Sequence, residues 1–375
     1  MSINKNLCVA LSANTAWYLY NFRAGLIRAM ISQGWEVVAI APEDRFFEHL
    51  RDMGCRTYNI LIDNKGSNPI RDTITLCHYW SLFRRLKPDI VLEFTIKPVI
   101  YGTLISSLLR IPTINTITGL GTTYIRDTFL TKIVAELYRI TQRWASVIVF
   151  QNETDHDYLI ELGLVPAAIS TRVSGSGVDL LHFKTTSLPP DQPRIFLLVG
   201  RLLWDKGIGE YVEAARRIKA VSPSVCFQVL GPLNVANRTA VTSDQLKNWE
   251  REGIVTYLGE ADDVREYIAQ AHCIVLPSYR EGLPRSLIEG AAMGRPLVAT
   301  DVSGCRDVID DGLNGYLCNV RDVDDLTKKL TRVCSLSLEE LSDMGKKGRK
   351  KVETEFDESV VIGQYIHLIR KSLAI

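Results

Sequence analysis

The chain has 375 residues, of which 46% are hydrophobic and 23% are charged, and its formal net charge is +1. This length is too great for one ordinary core, so we expect two domains of about 180 residues each. The balanced charge gives no electrostatic reason to expect a nucleic-acid partner.

Cysteine usage and hydropathy indicate a reduced, intracellular protein. The eight cysteines include no C-x-x-C pair, and several stand inside apolar runs, which is typical of buried thiols rather than of a disulfide framework. No secretory leader is predicted. The longest mostly apolar, uncharged stretch, around residues 98–109, is far shorter than the ~20 residues that span a bilayer. We therefore expect a cytoplasmic protein without a membrane-spanning helix.

Short apolar runs alternate with helical periodicity along the first half of the chain. The pattern predicts parallel strands at residues 7–12, 36–41, 89–94, 113–117 and 147–151, and helices at 22–33, 73–86 and 131–144. A proline-rich segment without periodicity follows at residues 184–194 and is interpreted as a linker. These boundaries place a first domain at residues 1–183.

The same alternation restarts after the linker. Strands are predicted at residues 195–200, 225–230, 256–259, 273–277, 296–300 and 315–318, which places a second domain at 195–357. Residues 358–375 are predicted to form a lone helix that returns to the first domain. The fold class is therefore α/β, with two tandem, doubly wound, Rossmann-like domains and a cleft between them.

The segment from Arg280 to Glu289 joins a predicted strand to a predicted helix through a turn that contains Gly282 and Pro284. The first amides of such a helix have no internal partner, and its dipole favours an anion. Glu281 and Glu289 flank this site, although they would repel a phosphate bound alone. They suit a ligand with hydroxyls on both sides of its phosphates, such as a nucleotide sugar. Alternatively, both are solvated acids beside a helix.

Two cations follow the first strand of the second domain. Arg201 lies just past the end of that strand, and Lys206 lies just before the next predicted helix. Cations at the carboxyl edge of a sheet can neutralise a diphosphate and stabilise it as a leaving group. A pair of surface cations is the alternative, but their position on the ligand edge favours function.

A polar and aromatic segment follows the first strand of the chain. Asn14, Tyr20 and Arg23 are candidates to receive an acceptor at this edge. Tyr20 and Phe22 are alternatively explained as core residues, and for Arg23 the two interpretations are about equally favoured. The glycine pairs at residues 119–121 and 175–177 do not complete a G-x-G-x-x-G motif, so we do not expect a nicotinamide cofactor.

Asp155 and Asp157 form a D-x-D sequence that in other proteins binds a metal ion. Here they follow Asn152 and precede an apolar run, which predicts a capped helix start instead. The six histidines have no metal-ligand spacing, and no metal site is expected. Residues 96–110 and 124–132 mix apolar side chains with flanking cations. Such faces can make peripheral contact with anionic lipid, although a core helix is the commoner explanation for the first segment.

The turn from Gly200 to Gly207 and the acidic segment 281–289 together resemble the family 4 retaining glycosyltransferases, which have the glycosyltransferase-B fold. The resemblance extends over essentially the whole chain, including residues 175–179 and 310–317. It implies that Arg201 and Lys206 hold the donor diphosphate, that Glu289 binds the ribose and that Glu281 binds the transferred sugar. Donor contacts are also implied at Gly231, Gly282, Leu283, Pro284 and Arg285.

Residues 20–23 and 119–125, with Trp204, more closely resemble bacterial enzymes that add N-acetylhexosamines to polyprenyl-diphosphate-linked sugars. The first domain would then bind the acceptor through Asn14, Tyr20, Arg23 and Thr118. Two features depart from many relatives, which have glycines in the first loop and a histidine or glutamate near Thr118.

The resemblance implies a UDP-sugar donor, with N-acetylgalactosamine as the first choice of sugar. It further implies retention at the anomeric carbon, no cofactor or essential metal, and a peripheral position on the inner face of the cytoplasmic membrane. A nucleotide-sugar epimerase on the same fold, or a two-lobed sugar-binding protein, are the alternatives. Donor turnover without acceptor would indicate the former, and sugar binding without UDP release the latter.

Overall fold

The computed structural model describes residues 7–63, 68–119, 129–233, 235, 237 and 239–375. The chain folds as two compact units. The first contains the residues up to Ser176 together with Glu358–Ile375, and the second contains Gly177–Asp357.

The first unit is built on a parallel sheet of seven strands. They are β1 (Cys8–Ser12), β2 (Glu36–Ala41), β3 (Arg56–Asn59), β4 (Ile90–Phe94), β5 (Thr113–Ile117), β6 (Val147–Phe150) and β7 (Ser170–Arg172). Their order across the sheet is β3-β2-β1-β4-β5-β6-β7, so β1 and β4 are neighbours, with Ser12 opposite Glu93. The central strands are buried on both faces, which explains their nearly continuous apolar runs.

Helices cover both faces of this sheet. They are α1 (Ala16–Ser32), α2 (Phe47–Asp52), α3 (Pro69–Leu86), α4 (Thr103–Leu108), α5 (Phe129–Thr141), α6 (Glu153–Glu161) and the final helix of the chain, Glu358–Ser372. Thr15 caps α1 by accepting a hydrogen bond from the Tyr18 amide. The final helix packs with α1 in one core, in which Tyr365 shares a 2.9 Å hydrogen bond with Thr116.

The second unit repeats this architecture with six parallel strands. They are β8 (Ile195–Val199), β9 (Cys226–Leu230), β10 (Thr256–Tyr257), β11 (Cys273–Leu276), β12 (Leu297–Thr300) and β13 (Gly315–Cys318). The order is β10-β9-β8-β11-β12-β13. The helices are α7 (Ile208–Val221), α8 (Ser243–Arg251), α9 (Arg265–Gln270), α10 (Arg285–Ala292), α11 (Cys305–Val308), α12 (Val323–Ser335) and α13 (Leu338–Glu355), which makes the final helix α14. The predicted fold of two doubly wound sheets is confirmed.

The division between the units lies at Ser176 rather than at the predicted residue 183. The Val178 amide donates a 2.9 Å hydrogen bond to the Phe356 carbonyl, and both Val178 and Phe183 are buried in the core of the second unit. The predicted linker, residues 184–194, also packs on this unit, because buried Arg295 donates to the Ser187 carbonyl at 2.9 Å. Residues 358–375 join the first unit.

Local signals placed the start of α6 correctly. The Asn152 side chain accepts a 2.7 Å hydrogen bond from the Asp155 amide, so Asn152 is the N-cap residue that the sequence predicts. Asp155 lies in the first turn of this helix, where its carboxylate accepts a 3.1 Å hydrogen bond from the Asn152 side-chain amide.

The structure describes one of the two segments predicted to face lipid fully and the other only in part. Val99, Ile100 and Ile105 lie in the core of the first unit, so most of segment 96–110 faces the interior. Of the second segment, residues 124–128 lie outside the described part of the chain. In the part of the chain that the structure describes, no helix has the length and apolar character needed to cross a membrane.

Candidate active site

The predicted donor residues converge where β8 and β11 lie side by side. The chain leaves β8 toward β9, on one side of the sheet, and leaves β11 toward β12, on the other side. Ligands of doubly wound sheets bind at such a switch point, outside the carboxyl ends of the strands. Arg201 and Lys206 follow β8, and the segment from Glu281 follows β11.

The turn after β8 is a short 3-10 helix, Trp204–Lys206, and is packed tightly against the end of β11. Gly207 ends it with a φ of 71°, and a Cβ atom there would lie 2.0 Å from the Pro277 carbonyl oxygen. Only glycine satisfies both constraints. This close approach fixes the position of Lys206 relative to the residues that follow β11.

Lys206 and Glu281 form an ion pair across the switch point. The Nζ–Oε1 distance is 2.5 Å, and the side chains are 21% and 11% exposed. An ammonium group has three donors, and Glu281 accepts from one of them. The pair therefore brings together the predicted diphosphate-binding cation and the predicted sugar-binding carboxylate, 75 residues apart in the sequence.

Arg285 and Glu289 form a second ion pair, within α10. Arg285 Nε donates to Glu289 Oε1 at 2.6 Å, and Glu289 is only 8% exposed. Burial raises the pKa of Glu289 above its ordinary value, and the Arg285 guanidinium lowers it in part. The four-residue spacing on one helix face predicts this contact, although the sequence analysis did not identify it.

Arg201 differs from the other cations of the site because it is exposed. Its guanidinium has no hydrogen-bond or ion-pair partner among the described residues. An arginine at a ligand edge with its donors unoccupied can form a bidentate contact with a phosphate. This suits its predicted role in holding the donor diphosphate.

The amino end of α10 is oriented to receive an anion. Pro284 is the N-cap residue and supplies no side-chain hydrogen bond to the first turn. The preceding loop is supported by the residues after β12, because a Cβ at Gly304 would lie 2.3 Å from the Gly282 carbonyl oxygen. Gly282 and Leu283 are partly exposed beside this helix end.

Gly231 lies at the carboxyl end of β9, beside the start of the cationic turn. A Cβ there would lie 2.0 Å from the Gly200 carbonyl oxygen, and the φ of Gly231 is 146°. The residue therefore permits close contact between two backbones. The structure shows this packing role, and its implied contact with the donor stays a prediction.

A supporting network that sequence reasoning missed connects the loops of the site. Asp205 accepts a 3.0 Å hydrogen bond from the Thr239 hydroxyl, and its carbonyl accepts one of 3.0 Å from the Tyr279 amide. The Tyr279 hydroxyl donates to Glu210 at 2.7 Å, and the Arg321 guanidinium lies 4.4 Å from the tyrosine ring centroid. These residues come from five separate loops and helices, so no local pattern could have grouped them.

Three of the four predicted acceptor residues lie near the carboxyl edge of the first sheet. Asn14 and Thr118 follow β1 and β5 directly, and both are partly exposed. Tyr20 lies in α1 and packs against Phe46 and His49, with ring centroids 5.5 and 5.1 Å away. Their contact with an acceptor stays a prediction.

Arg23 is placed differently from the predicted acceptor contact. It is 1% exposed, and its guanidinium lies 4.3 Å from the Phe94 ring centroid and 5.2 Å from that of Tyr365. The Tyr18 hydroxyl accepts a 3.1 Å hydrogen bond from it. The core interpretation of Arg23 is therefore the one that the structure shows, because aromatic rings from three elements enclose the cation.

Comparison with known families accounts for both units. Residues 182–351 match the family model "Glycosyl transferases group 1", and residues 8–152 match "Glycosyl transferase 4-like". The chain is a glycosyltransferase. Its matches to these two models contain every described site residue discussed above.

Named relatives of this glycosyltransferase align over most of its length. One is the N,N'-diacetylbacillosaminyl-diphospho-undecaprenol alpha-1,3-N-acetylgalactosaminyltransferase of Campylobacter jejuni, 26% identical over 93% of this chain and 95% of the relative. Another is the UDP-Gal:alpha-D-GlcNAc-diphosphoundecaprenol alpha-1,3-galactosyltransferase of Escherichia coli, 25% identical over 77% and 76% of the two chains.

Solved structures share the fold. HepE of Anabaena, crystallised with UDP-glucose, superposes with a TM-score of 0.80 at 16% sequence identity, over 98% of this chain and 99% of HepE. The glycosyltransferase-B architecture predicted from the sequence is thus confirmed for the glycosyltransferase described here.

Proposed function

We propose that this glycosyltransferase moves an N-acetylhexosamine from a UDP-sugar to a polyprenyl-diphosphate-linked saccharide, with retention at the anomeric carbon. The observation that carries the proposal is the Lys206–Glu281 ion pair at the switch point of the second sheet. A cation for the leaving diphosphate and an acceptor for sugar hydroxyls are held together there, beside a helix end that favours an anion.

Different side chains contact different parts of the donor in this proposal. Arg201 and Lys206 neutralise the diphosphate as the bond to the sugar breaks, and the amino end of α10 adds a further positive potential. Glu281 accepts hydrogen bonds from the transferred sugar. Glu289, which Arg285 holds in one orientation, accepts hydrogen bonds from the ribose hydroxyls.

Separate roles for the two carboxylates also favour a mechanism without a covalent glycosyl-enzyme. Retaining hydrolases place two carboxyl groups about 5 Å apart across the bond that breaks. Glu281 and Glu289 are instead engaged by different cations, Lys206 and Arg285. We therefore propose that the acceptor attacks on the face from which the diphosphate departs.

The relatives support the proposed substrate classes. The Campylobacter and Escherichia enzymes both carry a diphospho-undecaprenol acceptor in their names, and these names specify N-acetylgalactosamine and galactose as the transferred sugars. We adopt N-acetylgalactosamine as the first candidate for this chain and place the reaction in the assembly of a surface polysaccharide.

A lipid-linked acceptor requires the enzyme to work at a membrane surface, and the first unit has a suitable face. Ile133, Ile140 and Trp144 are spaced along one side of α5 and the turn after it, and are 43%, 43% and 46% exposed. Arg139 and Arg143 are exposed beside them. Apolar side chains flanked by cations bind anionic bilayers, so we propose peripheral attachment through this face, on the inner side of the cytoplasmic membrane.

The proposal is tested by incubating purified protein with a panel of UDP-sugars and short polyprenyl-diphosphate sugars. Product mass identifies the transferred sugar, and the anomeric proton coupling of the product reports its configuration. We expect an α-linked product with UDP-N-acetylgalactosamine. Conversion of the donor without any acceptor would indicate an epimerase instead, and an inverted product would refute the mechanism.

A further inference from the structure

The first sheet has a switch point of the same kind as the second, between β1 and β4. In the order β3-β2-β1-β4-β5-β6-β7 the chain leaves β1 toward β2 and leaves β4 toward β5. The loops after these strands meet, because the Asn14 amide donates a 3.2 Å hydrogen bond to Thr95 Oγ1. Topology alone therefore predicts a ligand crevice outside Asn14 and Thr95.

The loop after β4 has an unusual backbone. Thr95 has a φ of 68°, which is a rare conformation for a β-branched residue. A π-helix, Pro98–Gly102, begins three residues later. Both features are enriched at functional sites, where the surrounding structure holds a strained conformation in place.

Lys97 lies in the helical turn that directly precedes this π-helix, and it is held by Asp72, from the first turn of α3. The Nζ–Oδ1 distance is 2.5 Å, and the side chains are 19% and 15% exposed. Asp72 occupies one of the three ammonium donors, and no hydrogen bond from the other two is found among the described residues. The Tyr101 ring centroid lies 6.0 Å from the ammonium.

A buried carboxyl precedes Lys97 in the chain, and its burial disfavours a compensating negative charge. Glu93 is fully buried at the end of β4, and the Ser12 hydroxyl lies beside its carboxyl group. Burial raises the pKa of Glu93 well above its ordinary value, and the adjacent Ser12 hydroxyl offsets this only in part. Burial therefore favours the neutral, protonated form of this carboxyl.

The arrangement reproduces the one at the donor site. Lys206 also follows a central strand, is about one-fifth exposed and is held by a single carboxylate, Glu281. A paired lysine is already oriented before an anion arrives, which lowers the entropic cost of binding. Each unit thus presents one oriented lysine at its switch point.

We propose that Lys97 binds the diphosphate of the lipid-linked acceptor, and that Asp72 is a positioning residue that holds its ammonium at the crevice. This inference rests on the proposed function, since it assigns the acceptor diphosphate to a particular cation. Asn14 and Thr95 then form the base of the crevice.

The test measures binding of farnesyl diphosphate by calorimetry, with UDP present at saturation to occupy the donor site. The variants are Lys97→Met, Lys97→Arg and Asp72→Asn. Lys87→Met is the matched control, because Lys87 lies just past the other end of α3 and is exposed. Farnesol, which lacks the diphosphate, controls for binding through the hydrocarbon chain.

We expect Lys97→Met to weaken farnesyl diphosphate binding roughly 10- to 100-fold, the typical effect of losing a charge-assisted hydrogen bond. Lys97→Arg and Lys87→Met should bind within a few-fold of wild type. Asp72→Asn should weaken binding less, by several-fold, because the cation remains but its ammonium is no longer held at the crevice. Farnesol binding should be the same in wild type and Lys97→Met.

A purely structural ion pair predicts a different pattern. Lys97→Met and Asp72→Asn would then lower the unfolding temperature to similar extents, and both would leave the affinity for farnesyl diphosphate unchanged. That result, or the absence of binding to the wild type, would overturn the inference. UDP titrations of the same samples separate this inference from the proposed function. Failure to bind UDP would contradict the proposed donor site, whereas the role of Lys97 is decided by farnesyl diphosphate binding alone.

Discussion

The two switch points of this glycosyltransferase share a topology and differ in chemistry. The second unit carries two cation–carboxylate pairs, an exposed arginine and a helix end without a side-chain cap. The first carries one such pair and a strained loop. A leaving diphosphate gains charge during the reaction, whereas an acceptor diphosphate is only held. The unit with more cations is therefore the one assigned to the leaving group.

Removing a charged residue from the donor switch point tests this difference most strongly. We expect Glu281→Ala and Lys206→Ala each to lower kcat roughly 100- to 1000-fold, because in the proposed mechanism both contact the donor as charge develops. Lys219→Ala, at the opposite end of α7, is the matched control. Steady-state kinetics and circular dichroism measure the outcome. Near-normal kinetics in both variants, with native spectra, would refute the assignments.

The close packing behind Lys206 can be tested separately from its charge. Gly207→Ala should lower the free energy of unfolding by about 2–4 kcal/mol, because the new methyl group would contact the Pro277 carbonyl. Gly253 also has a positive φ, 68°, but nothing lies within 4 Å of its Cβ position. Gly253→Ala should therefore cost only about 1 kcal/mol. Equal losses in urea unfolding would show that packing at Gly207 is unimportant.

The proposed membrane contact also distinguishes the two units, because it involves exposed side chains of the first unit only. Ile140→Asp and Trp144→Asp should each reduce co-sedimentation with vesicles containing anionic phospholipid several-fold, because a charged group replaces an exposed apolar side chain. Leu181→Asp, at an 82% exposed leucine of the second unit, should have no effect. Equal binding by all three variants would contradict attachment through α5.

The smallest expected effect concerns the buried carboxyl below the first switch point. Because burial raises the pKa of Glu93, its contribution to stability is greatest below the unfolded pKa and is lost as pH rises through the folded pKa. Glu93→Gln should remove this loss, so that the variant becomes relatively more stable as pH increases. Urea unfolding between pH 5 and pH 9 measures the slope, with exposed Glu355→Gln as the control. If the free energy of unfolding changed with pH equally in wild type and Glu93→Gln, this prediction would be wrong.

Part of the fold was predictable because its signals are local. The buried strands read as continuous apolar runs, and β2, β5 and β13 have the predicted bounds. The edge strands β3 and β7 were missed because they are short and have no fully buried residue. Their pairing depends on a neighbouring strand and not on their own periodicity.

The candidate site divides in the same way. The strand–turn–helix segments around Arg201 and Glu281 were predictable because glycine, proline and charge at fixed spacing specify a loop and a helix start locally. The burial of Arg23 was not predictable, since Phe94 and Tyr365 reach it from distant parts of the chain.

The sequence by itself determined two doubly wound domains, their ligand edges and the residue types offered to a nucleotide sugar. Only the tertiary structure decided which charges meet. Lys206 reaches Glu281 across 75 residues, and Lys97 reaches Asp72 across 25. The physical reason is strand order, which places the ends of β8 and β11, and of β1 and β4, side by side. Packing of the whole sheet fixes this order, and the spacing of residues along the chain does not encode it.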